Sequence, residues 1–192
     1  MESSKKVDEV LKDLIEFTTF CFDYSAANSI SKNFRIMLFP SFKSWTKIML
    51  YPAIHETALT KVFSKLKTIG SGVLAGWLWG GRFMPSPHFY NFVKSFTNSI
   101  GCAIVAKTQG VKAFLYGNDL LLASFEKALP PVSKGKPVAV LDSEDYMAIG
   151  IGIALFELRE IEMLLKSGKM LTPIVKNVFD LGMHIRDEEF FY

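Results

Sequence analysis

Apolar positions at the start of the chain recur at helical spacing. Val7, Val10, Leu11, Leu14, Ile15 and Phe17 share one face, and Asp8, Glu9, Lys12, Asp13 and Glu16 the other. This predicts an amphipathic helix with Ser3 or Ser4 as its N-cap. Polar Ser25–Lys32 reads as a loop. Phe34–Phe39 and Lys47–Tyr51 are short apolar runs stopped by Pro40 and Pro52, so both read as strands. Ile54, Ala58, Leu59, Val62, Phe63, Leu66 and Ile69 predict a second helix, ended by Gly70. Lys61, Lys65 and Lys67 lie off its apolar face, as a solvated side or an anion-facing stripe. Val73–Trp79 reads as a strand turning at Gly80-Gly81. Phe89–Val93 reads as a strand, with a helical alternative running into Ser99, and Cys102–Ala106 as a buried strand.

The pattern changes at the polar connection Lys107–Gly110, which places a domain boundary between residues 1–106 and 107–192. Beyond it, strands are expected at Lys112–Tyr116, Val138–Leu141, Ala148–Leu155 and Ile174–Asn177. Helical patterns fill Leu120–Phe125 and Glu157–Lys166, the latter with Leu158, Ile161, Leu164 and Leu165 as its apolar face.

Composition narrows the class. The chain has 192 residues, 49% hydrophobic and 21% charged, which argues for a folded protein rather than a disordered one. No apolar stretch approaches the ~20 residues of a membrane-spanning helix. The N-terminus lacks an apolar signal-peptide core, so a cytoplasmic protein is expected. Cys21 and Cys102 could form one disulfide; two buried thiols are the favoured expectation. The net charge of +3 is unevenly spread. Met1–Ala106 holds twelve Lys/Arg against seven Asp/Glu, and Lys107–Tyr192 ten against twelve. A surplus of this size permits contact with a polyanion without requiring it.

Catalytic patterns are missing. His55, His88 and His184 have no metal-ligand spacing, and neither a G-x-S-x-G elbow nor a phosphate loop occurs. Gly150-Ile-Gly152 lacks the rest of a dinucleotide fingerprint and reads as strand glycines that admit a close neighbour. A protein without enzymatic activity, metal or cofactor is expected.

Phe114-Leu-Tyr-Gly-Asn118, followed by Asp119–Ser124, resembles the opening of the PUA domain in the Nip-seven family of ribosome biogenesis factors. Lys136–Leu141 and Ile149–Ala154, separated by an acidic turn, are similar to that family's strand pair with a G-x-G strand. Asp180-Leu-Gly-Met-His-Ile-Arg-Asp-Glu-Glu189 resembles its closing D-x-G-x-x-x-R-x-E-E, and Gly81-Arg-Phe83 with His88-Phe89 is similar to an N-terminal element. The departures suggest a divergent archaeal member. The resemblance implies an α+β protein: an N-terminal α/β domain with an antiparallel sheet, then a C-terminal PUA-type β-pseudobarrel. It also implies maturation of large-subunit pre-ribosomal RNA without catalysis. The implied partners are single-stranded or pre-ribosomal RNA, U-rich in archaeal members, and ribosome-assembly or RNA-processing proteins, with no membrane.

RNA binding of this kind needs cations for phosphate and surfaces for unstacked bases. By the groove position the resemblance implies, Arg159, Lys166, Lys169 and Lys176 are the candidate RNA-binding residues. Glu157, Glu160 and Glu162 lie on the same helix and oppose them. Phe114, Leu115 and Tyr116 are expected in the core, Gly117 at a turn with positive φ, and Arg186 paired with a carboxylate. The net negative charge of the second half keeps open a protein-interaction adaptor with weak or no RNA binding. An RNA-modification enzyme is the least favoured reading.

Overall fold

A computed structural model describes residues 2–40, 45–63, 65, 70–184 and 186. The chain divides into two compact units, Met1–Ser99 and Ile100–Tyr192. The sequence placed the boundary at Lys107–Gly110. It falls earlier because Ala103–Ala106, within the expected strand Cys102–Ala106, pairs on both sides inside the second unit's sheet.

The first unit opens with α1 (Glu2–Cys21), which begins ahead of the expected serine cap. Val10, Leu14, Thr18 and Cys21 form its buried stripe, and the Thr18 hydroxyl donates to the Leu14 carbonyl at 2.8 Å. The expected loop at Ser25–Lys32 is instead a helix, α2 (Tyr24–Asn33). Asp23 caps it, accepting the Ala26 N–H at 2.7 Å, and Ala26, Ala27 and Ile30 are buried. Its serines and asparagine mimic a turn in composition, but the cap and the apolar triplet decide the matter.

Strands β1 (Phe34–Pro40), β2 (Thr46–Pro52), β3 (Val73–Trp79) and β4 (Arg82–Pro85) form an antiparallel meander in sequence order. Gly80-Gly81 makes the β3–β4 turn, both at positive φ. Between β2 and β3 come a 3-10 turn (Ala53–His55) and α3 (Glu56–Phe63), within the stretch expected as helix through Ile69. Leu66, Lys67 and Ile69 lie outside the described residues. Two members of its expected apolar face, Ile54 and Val62, are exposed.

Phe89–Val93 belongs to a helix, α4 (Pro87–Lys94), not to a strand. The buried Ser86 hydroxyl accepts the Phe89 N–H at 3.0 Å and itself donates to the Leu74 carbonyl. Pro87 sits at the first turn, where a missing N–H costs nothing, so it starts the helix rather than breaking it. Phe17 and Phe89 both meet Phe83, with ring centroids 5.7 and 6.1 Å apart, and lock helices to sheet.

The second unit holds β5 (Ala103–Ala106), α5 (Thr108–Leu115), β6 (Leu120–Leu121), β7 (Phe125–Leu129), β8 (Pro137–Asp142), β9 (Ala148–Ala154), α6 (Leu158–Ser167) and β10 (Pro173–Asp180). Lys112–Tyr116, expected as a strand, is the end of α5 and its cap. Leu120–Phe125, expected as helical, is β6 and a 3-10 turn leading into β7. The sheet order is β6-β10-β9-β8-β5-β7; β5 and β8 run parallel and the other pairs antiparallel. Its two edges, β6 and β7, are consecutive in the chain. Leu121 to Phe125 can span only ~14 Å, whereas the edges of a flat six-stranded sheet lie ~24 Å apart. The sheet therefore curls into a pseudobarrel, and Ile104, Phe114, Leu122, Val140, Ile161, Ile174 and Val175 fill its core.

Both cysteines are disulfide-bonded, which overturns the expectation of buried free thiols. No helix among the described residues is long and apolar enough to cross a membrane.

Candidate nucleic-acid interface

The residues that carry the resemblance converge on one interior knot. The fully buried Phe114 ring packs over Gly150, where an added Cβ would lie 2.5 Å from its Cε1 and 2.6 Å from the Phe179 carbonyl. Asn177, on β10 opposite Gly152, donates through Nδ2 to the Phe114 carbonyl at 2.8 Å and to the Asn118 carbonyl at 3.3 Å. Its own N–H donates to Asp119 Oδ1 at 2.8 Å. Arg186 closes the knot, donating to both oxygens of the fully buried Asp180, at 3.2 and 3.0 Å, and to the Leu115 carbonyl. The three motifs thus bind one another and leave Arg186 no charge to offer a phosphate. Gly117 has the positive φ expected of it.

Tyr116 departs from expectation: it is 75% exposed. On a strand, residues 114 and 116 would share a face; on a helix they stand about 200° apart. Phe114 takes the core, and Tyr116 points to solvent on the side of exposed Lys112, one turn earlier.

The four candidate cations are all exposed. Arg159 and Lys166 share the outward face of α6, about 10 Å apart along its axis, opposite the fully buried Ile161. Lys169 follows the left-handed cap Gly168, at φ 72°. Lys176 lies further on, along β10 and opposite Ile153 of β9, so helix geometry does not join it to the other three.

Two of the three opposing glutamates are engaged at the helix start. Glu160 accepts the Glu157 N–H at 2.8 Å, and Glu157 accepts the Lys134 N–H at 2.9 Å. Glu162 lies on the outward side one turn from both Arg159 and Lys166, and Glu160, also exposed, flanks that face on its other side.

Lys107 was not among the four, yet its Nζ reaches the Ala123 carbonyl at 3.3 Å while the Ala123 N–H donates to the Met170 carbonyl at 2.8 Å. Residue 107 therefore stands beside the turn that carries Lys169, a proximity made by hydrogen bonds across about fifty residues of chain. Lys127 is occupied elsewhere: it lies 4.7 Å over the Tyr146 ring, and its hydrogen bond to Tyr146 raises its pKa. Among the described residues no cluster of His, Cys, Asp and Glu could hold a metal ion.

Comparison with known proteins agrees with this architecture. Residues 102–189 match the family model described as the UPF0113 PUA domain. No curated protein matches the chain. Among solved structures, a hypothetical protein of the hyperthermophilic archaeon Pyrococcus horikoshii is similar at 16% identity, covering 92% of this chain and 90% of its own, with TM-score 0.65. A PUA domain protein of Thermoplasma acidophilum gives 15% identity, coverage of 84% and 82%, and TM-score 0.53. A PUA domain of Aeropyrum pernix, solved with tartrate, gives 18%, 82% and 80%, and 0.51. The chain is thus an α+β protein whose residues 102–189 form a PUA domain, preceded in sequence by a unit built on an antiparallel sheet.

Proposed function

We propose that this protein binds single-stranded RNA through its PUA domain. In this reading it serves as a non-catalytic ribosome biogenesis factor of the Nip-seven type, assisting large-subunit pre-ribosomal RNA processing in the cytoplasm. The observation that carries the reading is the PUA domain itself, with Arg159, Lys166, Lys169 and Lys176 exposed on it. Phosphates supply most of the affinity in such contacts, so each cation engaged adds roughly one unit to the salt slope. U-rich pre-ribosomal RNA and RNA-processing proteins are the partners proposed.

The test is fluorescence anisotropy with a labelled single-stranded U-rich RNA across a salt series. Affinity should fall steeply as salt rises. Replacing Arg159, Lys166, Lys169 and Lys176 together by Ala should remove most of the binding, equally for all RNA sequences. A matched replacement of Lys61, Lys65, Lys67 and Arg82 should leave it intact. The reverse outcome moves the RNA site to the first unit, and absence of binding at low salt leaves the adaptor reading.

A further inference from the structure

The outward face of α6 and the turn after it carry more than cations. Met163 is 69% exposed, Met170 45% and Leu171 81%. Met163 lies between Arg159 and Lys166 on the same helix face, one turn from each. The turn that presents Met170 and Leu171 is held on both sides: Ala123 N–H donates to the Met170 carbonyl at 2.8 Å and Leu122 N–H to the Thr172 carbonyl at 2.9 Å. These side chains are therefore displayed by fixed backbone. Arg159 and Lys166 flank Met163, and Lys107 and Lys169 stand beside the turn of Met170 and Leu171, with exposed Glu160 and Glu162 on either side of the helix's outward face.

We propose that this surface docks an acidic, amphipathic segment of a partner protein, whose apolar side chains cover Met163, Met170 and Leu171 while its carboxylates meet the surrounding cations. Charge selects the acidic partner, because among the described residues four cations stand around the apolar side chains against two exposed acids of the helix's outer side, Glu160 and Glu162. Chemistry selects protein over nucleic acid for the centre itself. Thioether and aliphatic side chains offer bases no aromatic stacking plane and phosphates no donor, whereas methionine adapts its shape to varied apolar anchors. An apolar centre inside a charged rim is the usual anatomy of a protein-binding patch. The inference stands apart from RNA binding, although the two ligands share cations and should compete.

The probe is a labelled synthetic helical peptide with Glu and Leu at i, i+3 and i+4 spacing, measured against the full chain. A control peptide has every Leu replaced by Ser. The Glu/Leu peptide should bind at least tenfold more tightly than the control. Met163→Ser with Leu171→Ser should weaken it at least fivefold while leaving the melting temperature and the affinity for U-rich RNA unchanged. Lys166→Ala with Lys169→Ala should weaken both peptide and RNA if the cations are shared. Equal binding of the two peptides, or indifference to the Ser/Ser variant, overturns the proposal. Loss of RNA binding in the Ser/Ser variant assigns the patch to nucleic acid, and loss of self-association assigns it to a second copy; either also overturns it. Failure of the peptide with RNA binding intact leaves the RNA reading untouched.

Discussion

Replacing Arg186 by Met removes the charge while keeping much of the side chain's length and apolar stem. Asp180 has no solvent exposure, so its carboxylate depends on the two Arg186 contacts, at 3.2 and 3.0 Å, and on Asn177 Nδ2 at 3.2 Å. Removing one partner of a buried ion pair strands the other charge and costs about 3–5 kcal/mol. The remaining Asn177 contact and the 21% exposure of the Arg186 side chain place the expected loss at the lower end, about 3 kcal/mol. For a domain near 100 residues this lowers the melting temperature by roughly 12–24 °C. Asp180→Asn should cost less, about 1–2 kcal/mol, because the released guanidinium can turn towards water. The double variant should cost less than the sum of the two, with a coupling of about 1.5–3 kcal/mol. Urea unfolding followed by circular dichroism reads all four corners of the cycle. A loss below 1 kcal/mol for Arg186→Met, or strict additivity, refutes the account of the knot. The salt slope for RNA supplies an independent check: it should not change in Arg186→Met, since this cation is already spent on Asp180.

Gly150→Ala should destabilise the second unit by about 1–3 kcal/mol in urea, because the new methyl meets the Phe114 ring and the Phe179 carbonyl; a neutral result sinks the close-packing explanation. Tyr116→Ala should change the melting temperature by less than ~2 °C, as expected for a side chain 75% exposed, and a large drop would return it to the core. Asp23 has a pKa below its ordinary 3.8, chiefly through the hydrogen bond from the Thr97 hydroxyl and next through the Ala26 N–H. A depressed carboxylate stabilises the fold above its unfolded pKa and loses that contribution as pH falls through the lowered value. The melting-temperature gap between the native chain and Asp23→Asn should therefore be constant above about pH 5 and shrink in acid; a gap independent of pH speaks against it.

Elements bounded by strong local signals could be read from the chain alone. Prolines 40 and 52 stop β1 and β2, two glycines turn β3 into β4, and α6 has its apolar stripe and a glycine cap. Gly150 and Gly152 announced a close approach, and the motifs around Phe114 and Asp180 announced the domain. Those motifs are legible because they are structural: each residue is fixed by another motif, so few substitutions fit.

What the sequence left undecided are choices where local preference is nearly balanced and a distant partner tips it. Ser25–Lys32 becomes a helix because Ala26, Ala27 and Ile30 find a core and Asp23 finds an N–H to accept. Lys112–Tyr116 becomes helical because Phe114 packs on Gly150, and that choice turns Tyr116 outward. Cys102–Ala106 joins the second unit because its parallel partner, β8, lies beyond Lys107–Gly110. Lys107 comes beside the turn of Lys169 through its hydrogen bond to the Ala123 carbonyl and that of the Ala123 N–H to Met170, rather than through any spacing. Period and capping are local and are written in neighbouring residues; strand partnership and the assembly of a surface from separate segments exist only once the sheet has curled and its core has closed.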